Sequence, residues 1–324
     1  MKRSLPTLLD LATIHAAHAR IQDKIHRTPI MTSETLNRLT GARLWFKCEN
    51  FQRAGVFKAR GAFNAVFSLT DAQAGRGVVT SSSGNQAAAL SLAAKLRGVP
   101  AYIAMPKCAL KSKVAAVERY GGNIVWVEAK GDIPTSEEYE RTAARIQVDT
   151  LANAVHPYND LRTIAGQATC TLEFLEDRPE LDLLLAPVGG GGLLAGTAVA
   201  AKALKPAIRV FGCEPEMADD AKRSLRAGEI VPQLNPRTIA DGLRTSLGDL
   251  TFPLIAGHVD DIVGVSEDAI IRAMRLVWLT LKIVVEPSSA VPLAAVLEGR
   301  LDVVGKSVGI ILSGGNVDLD SLPW

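Results

Sequence analysis

The chain of 324 residues is short of several features that would each mark a function. Histidine is scarce, at five, and none stands in an HExxH or comparable metal-ligand spacing. The four cysteines, Cys48, Cys108, Cys170 and Cys213, are scattered, with no CxxC pair. Reduced thiols in a cytoplasmic protein are the simpler reading than a disulfide framework. An excess of one charge is missing too. The 36 basic residues stand against 34 acidic ones, which argues against a nucleic-acid partner. No run approaches the roughly 20 uninterrupted apolar residues of a membrane span. The first residues, MKRSLPTLLDLATIHAAHARI, carry Lys2 and Arg3 as a secretory leader would, but Asp10, His15, His18 and Arg20 interrupt the apolar run. An amphipathic helix after a Ser4–Pro6 start is expected instead.

What is present is alternation. The chain is 48% apolar, enough for a sizeable core, and its length suggests about two domains. GVVTSSS (77–83) reads as a buried strand, followed by an Ala/Leu-rich helix over 85–98 that stops at Gly98. PAYIAM (100–105) is a strand, 110–122 an amphipathic helix closed by a glycine pair, and NIVWVE (123–128) the next strand. A helix over 135–146 begins with a Thr cap and an acidic first turn. The pattern resumes with helices over 161–177, 192–204 and 270–281, and strands over 181–188, 208–214 and 308–316. Such β-α-β-α units with short connections imply parallel strands covered by helices. A ligand is expected in the cleft between two such halves, near the carboxyl ends of the strands.

Three loops sit at strand ends. Ser81-Ser82-Ser83-Gly84-Asn85-Gln86 opens a helix, where free N–H groups and the positive dipole end suit an anion such as a carboxylate. The same residues also suit an ordinary helix cap. Gly189-Gly190-Gly191-Gly192-Leu193 follows the most apolar strand and lacks side chains, so a bound phosphate could touch successive N–H groups. It is neither GxGxxG nor a P-loop. Its buried flanks argue against a linker. Leu312-Ser313-Gly314-Gly315-Asn316 by itself reads as a plain turn. A fourth segment holds Lys58 between Val56-Phe57 and Ala59, an apolar setting that would lower its pKa and make it a nucleophile and base; a surface lysine on a helix is the other reading.

Taken in order, Phe57-Lys58-x-Arg60-Gly61-Ala62, Ser82-Ser83-Gly84-Asn85, the four-glycine loop and Ser313-Gly314-Gly315-Asn316 resemble the fold type II pyridoxal-phosphate (PLP) enzymes. The likeness is to the serine/threonine dehydratase and serine racemase group, which includes the 3-hydroxyaspartate dehydratases. It runs from Thr28-Pro29 to Trp324 and includes His156-Pro157, Ile164-Ala165-Gly166-Gln167 and Glu286-Pro287-Ser288. The resemblance implies a tryptophan synthase β-like α/β fold of two parallel-sheet domains, a large one from 1–74 plus 159–324 and a small one from 75–158. It implies a homodimer, and an amino acid substrate.

The resemblance also implies roles. Lys58 would link to PLP and later act at the substrate Cα. Phe57 would lie beside the ring, Gly189 to Leu193 would bind the phosphate, and Asn85 would meet the ring oxygen. Ser313 would meet the pyridine nitrogen, with Gly242 and Glu286 lining the cofactor. Ser82, Ser83, Asn85 and Gln86 would hold the substrate, and Ser83 would be an acid/base on the face opposite Lys58. Glu214, the carbonyl of Ala218, and Asp220 would hold Mg²⁺, Ca²⁺ or Mn²⁺, a set of hard oxygen ligands. Ser313 bears on reaction type. A hydroxyl keeps the pyridine protonated less well than a carboxylate, which favours loss of a β-leaving group over transamination. The expected reaction is elimination of water from 3-hydroxyaspartate, threonine or serine, with release of ammonia. The alternatives are a serine or aspartate racemase, a bifunctional racemase/dehydratase, or a PLP-binding or amino acid-binding protein without catalysis.

The chain departs from the family at Gln86, where histidine is usual, and at Ala54 and Val56, where Thr and Ser are. It departs also at Tyr139, near a substrate-linked arginine of the racemases, and at Ser289, where glycine is common. Val56 would suit threonine, whereas Arg60 and Arg244 are candidates for a second substrate carboxylate. No isoleucine-binding regulatory domain is expected after Asn316, and a catabolic role is.

Overall fold

The computed structural model describes residues 9–82, 84–109, 111–128 and 135–324. Ten strands are found among them: β1 (Ile30–Met31), β2 (Arg43–Cys48), β3 (Val78–Ser81), β4 (Ala101–Pro106), β5 (Asn123–Val127), β6 (Asn153–Ala154), β7 (Leu183–Pro187), β8 (Arg209–Pro215), β9 (Asp261–Val265) and β10 (Ser307–Leu312). They form a six-stranded sheet in the order β1-β2-β10-β7-β8-β9 and a four-stranded sheet in the order β5-β4-β3-β6. Every pairing is parallel except the short edge pair β1–β2. β7 and β10 are buried at every residue, as central parallel strands covered on both faces must be.

The expected helices form where patterning and caps placed them. Asn85–Arg97 ends at Gly98, which takes the left-handed conformation (φ 72°) that closes a helix. Thr135 and Glu138 make a reciprocal capping box before the Ser136–Thr150 helix. Leu161–Asp177 and Gly192–Leu204 match their expected spans. The first helix differs: it runs Leu11–Ile21, with Asp10 as its cap, and the expected Ser4–Pro6 start lies outside the described residues. The buried helix Pro287–Leu297 had no amphipathic signal, because both its faces are covered and ten of its residues are buried.

The Lys58–Phe67 helix joins the two halves. Its apolar residues Ala59, Ala62, Phe63, Ala65 and Val66 pack into the core that also holds Val78, Leu90 and Ile103 of the four-stranded half. Its Arg60 turns the other way. The guanidinium bonds both oxygens of Glu49 (2.7 and 2.8 Å) and both of Glu173 (2.8 Å each), and Lys47 adds a 2.7 Å bond to Glu173. All four charged groups are buried, and the two cations balance the two anions. Such a network is costly to break on one side, so it pins the start of the helix to β2 and to the Leu161–Asp177 helix.

Candidate active site

The carboxyl ends of β3, β7 and β10 and the start of the Lys58–Phe67 helix surround a cleft of about 310 Å³. Its lining brings together Phe57, Lys58, Ser82, Asn85, Gln86, Gly189 to Leu193, Gly242, Glu286 and Ser313. Ser83 lies outside the described residues.

Lys58 Nζ donates to the Pro157 carbonyl at 2.6 Å. Burial lowers its pKa to about 8, against a smaller opposing pull from the Glu286 charge. Asn85 Nδ2 spans the two oxygens of Glu286 at 3.0 and 3.1 Å, and Asn85 Oδ1 accepts from Asn316 Nδ2 at 2.8 Å. Burial, reinforced by Asp241, raises Glu286 to about 7. Ser313 is 2% exposed at the end of β10, with its Oγ 3.1 Å from Ser289 Oγ.

The glycine loop is tight rather than loose. A Cβ on Gly190 would meet the Tyr158 ring at 2.4 Å; one on Gly189 would meet the Gly242 carbonyl and Leu243 Cα at 3.0 Å. Gly191 has φ +88° and leads directly into the Gly192–Leu204 helix. Successive N–H groups at a helix start, with no side chain between them and the cleft, form a cradle for a phosphate. Together with a desolvated lysine a cleft's width away, this fits PLP.

Several lining residues had no role assigned to them from the sequence. His156 Nδ1 accepts from the backbone N–H of Tyr158 (3.3 Å) and Asn159 (2.9 Å), so its ring hydrogen is on Nε2. Burial and the Lys58 charge lower its pKa to about 4, so the ring is neutral. Tyr158 packs over the glycine loop, and Thr245 and Ser288 complete the rim. Lys113, on the Lys111–Arg119 helix, pairs with Asp241 across the cleft. A Cβ on Gly84 would meet Lys113 Cδ at 3.1 Å and Nζ at 3.2 Å, so this lysine lies over the start of the Asn85–Arg97 helix.

Other expected residues are elsewhere. Arg60 is consumed by its buried ion pairs and does not reach the cleft. Arg244 is exposed and bonds the Thr238 carbonyl. Val56 is fully buried, bridging backbone to Gly314, and Ala54 sits in a left-handed turn whose carbonyl accepts from Asn316. Neither lines the cleft, so the reasoning from Val56 to threonine has no support in the structure. Gln86 does line it, with both amide atoms buried and without a partner.

Glu214 and Asp220 are buried outside the cleft and are met by backbone donors: Ala221 and Lys222 N–H for Glu214, Leu247 N–H for Asp220. Burial raises them to about 8 and about 7, and the Asp220 charge raises Glu214 further. Among the described residues no cluster of three or more His, Cys, Asp or Glu forms a metal site. No helix among them is long and apolar enough to cross a membrane.

A recessed lysine facing a glycine phosphate cradle defines a class, the PLP enzymes with the cofactor held between two α/β halves. The chain belongs to the pyridoxal-phosphate dependent enzyme family, whose model matches residues 21–314. It is 52% identical to a β-hydroxyaspartate dehydratase of Paracoccus denitrificans over 320 residues, covering 99% of each chain. It is also 52% identical to a serine racemase of Arabidopsis thaliana, over 97% of this chain and 95% of the relative. Among solved structures it resembles maize serine racemase (TM-score 0.93, 48% identity, 97% and 95% covered) and a T.th. threonine deaminase (TM-score 0.90, 44% identity, 96% and 99% covered). The fold is that of the type II PLP enzymes.

Proposed function

We propose that the chain is a PLP-dependent ammonia-lyase that removes water from a small β-hydroxy amino acid: 3-hydroxyaspartate, threonine or serine. The observation that carries this reading is the meeting of Lys58, Asn85, Ser313 and the Gly189–Gly192 loop in one cleft. When bound, PLP supplies an aldehyde to hold the substrate amine and a ring to draw off charge from Cα. Lys58 Nζ, which donates to the Pro157 carbonyl in the cofactor-free chain, would hold the cofactor and, when displaced by substrate, would be the base that takes the Cα proton. The N–H groups of Gly189 to Leu193 receive the phosphate. Phe57, Gly242, Asn85, Glu286 and Ser313, which line the same cleft, would hold the ring, with Asn85 and Glu286 as partners for its oxygen and Ser313 for its nitrogen. Ser82, Asn85 and Gln86, at a helix start, would hold the substrate carboxylate, with Ser83 of the same motif as a further candidate. Loss of the β-hydroxyl leaves an enamine, which takes up water and gives a 2-oxo acid and ammonia.

Lys113 supports the dicarboxylic substrate. Among the described lining residues, Lys58 and Lys113 are the two cationic side chains, and Lys58 is occupied by the cofactor. The pair between Lys113 and the partly exposed Asp241 is of the kind that contributes little, so a substrate carboxylate can displace it.

A divalent cation at Glu214, the Ala218 carbonyl and Asp220 belongs to the same proposal. Two buried carboxylates with raised pKa and no cationic side chain bonded to them suit a hard cation. We further propose a cytoplasmic homodimer, divided into 1–74 plus 159–324 and 75–158; strands β3 to β6 all fall in the latter segment.

The test is a panel of β-hydroxy amino acids in all stereoisomers, with and without chelator, read for 2-oxo acid and for optical inversion. Formation of 2-oxo acid is expected. Inversion alone would replace the lyase by a racemase, the reading that the serine racemase relatives favour. Activity and melting temperature unmoved by chelator would remove the cation.

A further inference from the structure

The hydroxyl of Ser289 has three polar neighbours. Its Oγ lies 2.6 Å from the Gly314 carbonyl oxygen, 2.6 Å from the Gly314 amide nitrogen and 3.1 Å from Ser313 Oγ. A carbonyl oxygen can only accept, and an amide N–H can only donate. The single proton of Ser289 therefore goes to the Gly314 carbonyl, and its oxygen accepts from the Gly314 N–H. One sense remains for the third contact, with Ser313 as donor to Ser289. Ser289 is fully buried, so solvent offers its hydroxyl no other partner; Ser313, 2% exposed, lines the cleft on its other side.

We infer that Ser289 sets the direction of the Ser313 hydroxyl, turning its proton away from the cleft and its lone pairs towards the pyridine nitrogen of PLP. This rests on the reading that Ser313 stands at that nitrogen. An acceptor there favours a protonated nitrogen; a donor would favour a bare one. Protonation makes the ring a stronger electron sink. Charge left at Cα is then held longer, and return of a proton to Cα competes better with departure of the β-hydroxyl. Ser289 is thus a positioning residue that shifts the balance from elimination towards racemisation. Glycine, common in the family at this position, would leave Ser313 free to donate to the ring.

The test loads the full chain with PLP carrying ¹⁵N in the ring and reads the nitrogen chemical shift in the unaltered protein and in Ser289→Gly, Ser289→Ala and Ser313→Ala. Visible absorption of the lysine-bound cofactor confirms that each variant is folded and loaded. The unaltered protein is expected to show a protonated nitrogen, and both Ser289 variants a hydrogen-bonded but unprotonated one. In the same variants the ratio of elimination to racemisation of L-serine should rise about tenfold, the worth of one hydrogen bond at a charged group. If Ser313→Ala moves the nitrogen signal and the Ser289 variants do not, the inference falls while the placement of Ser313 stands. If Ser313→Ala also leaves it unmoved, both fall. An unprotonated nitrogen in the unaltered protein overturns the inference as well.

Discussion

On the six-stranded side of the cleft the glycine loop presents backbone alone to the cavity. The loop from Gly189 to Gly192 is packed so closely against Tyr158 and the Gly242 turn that no side chain fits. On the four-stranded side the facing groups are side chains: Gln86, Lys113, Tyr139 and Glu140. The first wall can change little without losing its ligand, because N–H groups must approach a phosphate directly. The second can change one side chain at a time. The departures Gln86 and Tyr139 both lie on the second wall.

This contrast can be broken from either side. The largest effect is expected from Lys58→Ala, which should lower kcat by about 10⁴-fold, as loss of a nucleophile that is also the base, and abolish the visible absorption of lysine-bound cofactor. Normal absorption in that variant would move the attachment point elsewhere. Gly190→Ala should weaken PLP binding about 30-fold, because the methyl would overlap the Tyr158 ring at 2.4 Å. Equilibrium dialysis of the cofactor measures this, and an unchanged affinity would mean that the loop is not the cradle. On the substrate wall, Lys113→Met should lower the ratio of kcat/KM for 3-hydroxyaspartate to that for serine by about 30-fold and leave PLP affinity alone. An equal fall for both substrates would place Lys113 at the α-carboxylate instead.

The smallest effect is a matter of pH. Only the neutral amine of Lys58 can attack the cofactor aldehyde, so attachment to the cofactor-free chain should rise with pH through a midpoint of about 8. The Glu286 charge raises that midpoint. Glu286→Gln should therefore lower it, and stopped-flow absorption across pH would show the sign; a midpoint that rises would remove Glu286 from the neighbourhood of the amine.

Much of the site was legible beforehand because an ordered set of motifs, one at a helix start and three after strand ends, resembles that of a known family. Lys58, Asn85, the glycine loop and Ser313 are of this kind. Arg60 shows the limit. Its cationic type suggested a substrate carboxylate, but its partners, Glu49 and Glu173, are 11 and 113 positions away, and only packing brings them together. Lys113 is the converse: an unremarked lysine in an amphipathic helix that the approach of the two halves sets across from Asp241.

By itself the sequence determined the alternation of strands and helices, the caps that bound them and the glycine loop that can hold a phosphate, while the imine-forming role of Lys58 rested on the resemblance of its motif to a family. The first three follow from periodicity, turn chemistry and backbone freedom, which act over a few residues. Tertiary structure decided which charges are spent inside the fold and which remain for a ligand, since that depends on burial and on partners far apart in the chain. It also decided the direction of one hydroxyl. Ser289 is a single unusual serine in the sequence, and only the approach of its helix to the end of β10 gives its proton a destination.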